Sequence, residues 1–97
     1  MGVRFNREYA DIVDELTAAI AQIADCHTAF EMSQSEWEEL AEQEQKDTLR
    51  TLADDVFYAL GAAPKMQVGS GKIEYDAGNH AIKVFADPQL VIVVKLV

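Results

Sequence analysis

His27 and Glu31 stand four residues apart with Cys26 beside the histidine, a spacing at which an imidazole and a carboxylate on one helical turn could share a metal ion. A stable site needs three or four ligands and groups that hold those ligands in place, and the only other histidine, His80, falls on a distant strand. A Cys–His nucleophilic pair is excluded more firmly, because adjacent helical residues point about 100° apart. The expectation is a partly buried His27 on an apolar stripe, hydrogen-bonded to a neighbour.

Gly69-Ser-Gly-Lys72 resembles the end of a phosphate-binding loop, whose pattern needs a glycine five residues before the final Gly-Lys pair, a hydroxyl after the lysine and a following helix. Met66 and Ile73 occupy the first two of those positions and strand patterns flank the segment, so it reads as a hairpin turn. The acidic groups Asp11/Asp14/Glu15 and Glu36/Glu38/Glu39/Glu42 lack the alternating oxygens and turn glycine of a calcium loop, and no Glu-x-x-His pair offers a di-iron ligand set. No catalytic residue, cofactor or metal is expected.

Two features suit contact rather than chemistry. Asp54 and Asp55 interrupt a strongly apolar helix and face away from its stripe, toward solvent or a partner. Trp37 begins a second helix, where it serves either as a staple against the preceding helix or as an interface anchor.

The elements behind these residues follow from periodicity. Tyr9, Val13, Leu16, Ile20, Ile23, His27 and Phe30 recur at steps of four and three, which predicts a helix over about 6–31, capped by Asn6. Ser35 and Glu38 form a capping-box pattern that starts a second helix over 36–60, ended by Gly61 and Pro64. The run 42–48 has no apolar residue and either continues that helix or hides a break, with continuity favoured because it holds no Gly or Pro. Each arm would span about 37 Å. The remainder reads as strands at 65–68, 72–76, 80–86 and 89–97, joined by connections too short for parallel crossovers.

The fold class expected is therefore α+β: a long N-terminal αα-hairpin over about 6–61, then a small antiparallel meander of three or four strands over about 65–97, packed on the helices as one domain, 1–97. The last strand is unusual. Leu90, Ile92, Val94 and Leu96 lie on one face and Val91, Val93 and Val97 on the other, so both faces are apolar and both expect cover.

The chain has 97 residues and a net charge of −9. Residues 1–64 carry 14 acids against 4 bases, whereas 65–97 carry 3 acids against 4 bases. That balance repels phosphate backbones and disfavours nucleic acid. No run approaches the roughly 18 apolar residues of a membrane span. The first residues lack the apolar core of a signal peptide, Asn6 departs from the myristoylation pattern, and Cys26 stands alone, so a cytoplasmic location is expected.

These observations point to a small non-enzymatic interaction module, homodimeric or bound to a protein partner. The candidate interface residues are Trp37, Asp54, Asp55, Val91, Val93 and Val97. One alternative is an immunity- or antitoxin-like neutraliser whose acids meet a basic partner; another is a small metal- or ligand-binding enzyme using His27 and His80.

Overall fold

The computed structural model describes residues 3–97. Three helices, α1 (Tyr9–Ala21), α2 (Gln34–Glu39) and α3 (Glu42–Ala62), precede four strands: β1 (Lys65–Val68), β2 (Gly71–Asp76), β3 (Ala81–Asp87) and β4 (Leu90–Lys95). The strands form one antiparallel sheet in the order β1-β2-β3-β4, so the class is α+β with an open meander.

One face of the sheet is the core face. Ile73, Ile82, Val84, Val94 and Leu96 are buried there, and α1 lies against β3 and β4 with Ile12, Val13, Leu16 and Ile20 turned inward. Helix α3 packs along α1 and contributes Leu49, Ala53, Val56, Phe57 and Leu60 to the same apolar cluster. The 3.6-residue stripe on each helix thus sits over the two-residue alternation of the strands.

The helical region departs from two long arms. Helix α1 stops at Ala21 and the chain tightens through bonds from Gln22 N to Ala19 O and from Ile23 N to Ile20 O, then forms a 3₁₀ turn at Cys26–Phe30. This segment packs on the β1–β2 turn. Ile23 fits so closely over Gly71 that an added Cβ would fall 2.7 Å from its Cδ1, and Asp25 bonds to Ser70.

The second expected helix is also divided. Its break falls at Leu40–Ala41, just ahead of the apolar-free run, and the capping box lies two residues earlier than expected, at Ser33/Glu36. Ser33 Oγ accepts from Glu36 N at 3.2 Å and Glu36 Oε1 accepts from Ser33 N at 3.2 Å. Glu44 Oε1 accepts from Ala41 N at 3.3 Å where α3 begins. Trp37 O, near the end of α2, accepts both the Leu40 N–H at 3.2 Å and the Gln45 side chain at 2.7 Å, which ties α3 to α2 across the break. At the other end of α3, Gly61 stays helical and the chain leaves in extended conformation at Ala63. Asn6 caps nothing; its N–H bonds to Leu96 O at 2.9 Å and ties the segment before α1 to the strand side.

Candidate functional site

Strand β4 is an edge of the sheet, and its apolar residues divide sharply. Val94 and Leu96 are buried and Ile92 is half-buried, while Leu90, Val91, Val93 and Val97 are 38%, 46%, 48% and 53% exposed. Cover on both faces, expected from the sequence, is absent among the described residues.

The surroundings of Val91 and Val93 follow from register. Phe85 lies opposite Val91 and Lys72 beyond it; Lys83 lies opposite Val93 and Glu74 beyond it. The Lys72 ammonium rests 5.2 Å from the centre of the Phe85 ring. Lys83 pairs with Asp76 at 3.1 Å, and Lys65 and Lys72 approach Glu74 at 3.8 and 3.5 Å. The outer face is therefore an ion-paired polar field with its apolar residues gathered along the β4 side.

The backbone of β4 adds a second feature. Leu96 N donates to His80 O at 2.9 Å, and in an antiparallel ladder bonded pairs alternate with unbonded ones. With Ile82 opposite Val94 and Val84 opposite Ile92, those even-numbered residues bond across to β3. The N–H and C=O of Val91, Val93 and Lys95 then point away from the sheet. Consistent with this, Lys95 O receives Arg7 Nη1 at 2.9 Å. Arg7 is also ion-paired with Glu15 of α1, so it closes the far end of the edge. Beside the open stretch, Glu15, Ala18, Ala19 and Gln22 of α1 form a groove of about 330 Å³ with Ile92, Val93 and Val94. The alanines leave this flank of the strand uncovered.

The other candidate residues lie on the helical layer. Trp37 is half-buried and stacks on Phe30, ring centres 5.9 Å apart and planes 11° from parallel. Asp54 accepts a 2.5 Å hydrogen bond from Tyr9 Oη, and burial together with that carboxylate pushes the Tyr9 phenol up. Asp55 is exposed. Of the six residues singled out from the sequence, Val91 and Val93 share one row, Val97 lies just past the strand end, and Trp37, Asp54 and Asp55 are separate from them.

The groupings considered for chemistry come apart as well. Cys26 is buried in the core, where burial pushes its thiol up. His27 is buried on the 3₁₀ turn and its Nδ1 has no hydrogen-bond partner among the described residues, contrary to the bonded ring expected. Glu31 is exposed in a left-handed conformation, φ 57°. Among the described residues no three His, Cys, Asp or Glu side chains converge to hold a metal. Gly69 and Ser70 form the β1–β2 turn, and Gly71 and Lys72 begin β2.

Sequence reasoning missed Arg7, the α1 groove and an aromatic hollow of about 350 Å³ formed by Val3, Phe5, Tyr9, Phe57 and Tyr58. Phe5 and Tyr9 at i, i+4 carried a faint signal of the hollow. Arg7 carried none, since its partners Lys95 and Glu15 are fixed only by the tertiary fold. Among the described residues, no helix is long and apolar enough to cross a membrane. Comparisons with protein-family models, curated proteins and solved structures give no match to this chain.

Proposed function

We propose that the protein is a small, single-domain, cytoplasmic interaction module without catalytic activity, acting by self-association through β4. The observation that carries this reading is the run of exposed Leu90, Val91 and Val93 on a strand whose outward N–H and C=O groups at Val91 and Val93 find no partner among the described residues. The stretch Leu90–Val94 carries no charge and no proline, and such an apolar edge is a template for another chain. Sedimentation velocity over a hundredfold range of concentration tests it: the expected result is a reversible shift from one to two copies. Val93→Asp should hold the chain at one copy with an unchanged far-UV spectrum, because the charge would enter an apolar contact. A wild-type chain that stays at one copy throughout overturns the proposal.

A second reading rests on Glu38, Glu39, Glu42 and Asp55, all exposed and none ion-paired among the described residues. Such a surface suits a basic protein partner by steering the encounter. Capture of basic proteins that weakens steeply with added salt would support it, and salt-insensitive capture would refute it.

A further inference from the structure

We infer that the occupant of β4 is a second β4, added antiparallel and edge to edge in a register centred on Ile92, so that two four-stranded sheets become one of eight. The inference rests on the self-association proposed above and specifies its geometry.

The open stretch defines the register. Toward the C-terminal side, Arg7 occupies Lys95 O, and Asn6 and Arg7 N–H groups occupy Leu96 O. Toward the other side, the Asp87–Gln89 turn closes on itself through Gln89 N to Asp87 Oδ1 at 2.7 Å. Leu90–Val94 remains free, and its midpoint is Ile92. A two-fold axis there sets Val91 of one copy opposite Val93 of the other, and the converse. These are the residues with outward-pointing N–H and C=O groups, so each pair exchanges both of its bonds. No donor or acceptor between the closed ends is left over.

Side chains agree with the same axis. On the outer face each valine meets a valine, a favourable cross-strand pair. On the inner face Ile92 meets its own copy as a close, unbonded pair, above the groove kept open by Ala18 and Ala19. Glu15, the acid in that groove, is already neutralised by Arg7. The stretch from Leu90 to Val94 holds no charge. Of the acids on α1, the helix beside β4, Glu15 is paired with Arg7 and Asp14 with Arg50, which lessens the repulsion between the two copies.

Other arrangements fit less well. Stacking two outer faces would bury the Lys83–Asp76 and Lys72–Glu74 pairs, which are expensive to remove from water. Pairing β4 with β1 of another copy would extend without limit, and β1 is blunted by Pro64 at its start and by exposed Lys65 and Gln67. The two-fold pairing consumes both β4 edges and closes.

Amide hydrogen exchange on the wild-type chain reads this register directly. The Val91 and Val93 N–H groups should exchange at least about tenfold more slowly in concentrated than in dilute solution, as mass action requires of an interface. A cross-link provides the second test, in a Cys26→Ala background. Ile92→Cys should form a disulfide-linked dimer on mild oxidation, since facing residues of an unbonded pair lie within reach of that bond. Leu90→Cys should not, because symmetry separates its two copies by about 14 Å. Two copies by sedimentation, with rapid exchange at Val91 and Val93 and no Ile92→Cys cross-link, overturn the edge pairing and leave self-association standing. A single copy overturns both.

Discussion

Asp25 accepts the Ser70 backbone N–H at 2.9 and 3.0 Å and the Ser70 hydroxyl at 2.9 Å, joining the segment after α1 to the β1–β2 turn. These bonds hold the Asp25 carboxyl below its ordinary value of 3.8. Asn79 and Lys83 act on Asp76 in the same direction.

The unfolded chain therefore takes up these two protons before the folded chain does. The associated stability is fully present above about pH 4 and is lost as pH falls through the lower folded values. Thermal midpoints measured from pH 6 to pH 2 should fall on the acid side. Asp25→Asn should start lower at pH 6 and fall less, so parallel curves would contradict this account.

Gly69 turns the chain at φ 56°, and a Cβ there would lie 2.5 Å from Asp25 Oδ1 and 2.6 Å from Asp25 O. Gly69→Ala should cost about 1–3 kcal/mol by urea unfolding, from left-handed strain plus the clash. Gly78 is the comparison. Its added Cβ would sit 3.6 Å from Asp76 Oδ1, an ordinary contact, and Gly78→Ala should stay within about 0.5 kcal/mol of wild type.

The Tyr9–Asp54 hydrogen bond joins the start of α1 to α3 in a half-buried setting. Tyr9→Phe should lower stability by about 1 kcal/mol while leaving the denaturant slope unchanged. Asp54→Asn keeps an acceptor and should cost less. The reverse order would show that the ring, not the hydroxyl, carries the contact.

Ser33→Ala should cost about 1 kcal/mol because it removes the cap of α2, whereas Ser35→Ala should be nearly neutral. Equal costs would move the start of that helix back to the position the sequence pattern suggests.

The difference between those two serines shows where the sequence was legible. Both Ser33/Glu36 and Ser35/Glu38 satisfy the capping-box spacing, and spacing alone does not choose between them. The choice is tied to the turn after Phe30, where Glu31 adopts a left-handed conformation that neither composition nor periodicity announces. The buried stripe from Val13 to Ile23 was readable because hydrophobic spacing registers burial directly. The end of α1 inside that stripe was not, since Asp25 and Ile23 answer to Gly69–Gly71, a partner segment 45 residues on. The strands were read more accurately because alternation and turn residues are local signals. For β4, two apolar faces signalled that cover was needed; which face lacks it depended on where α1 packs.

The bond from Arg7 to Lys95 joins positions 88 residues apart, while each strand of the meander needs only its immediate neighbour. A refolding chain can zip the ribbon quickly, then must wait for the distant amphipathic rod to swing back over it. Until that rod docks, nothing in the ribbon itself covers Ile73, Ile82 and Val84. Crowded refolding will then lose material that dilute refolding recovers.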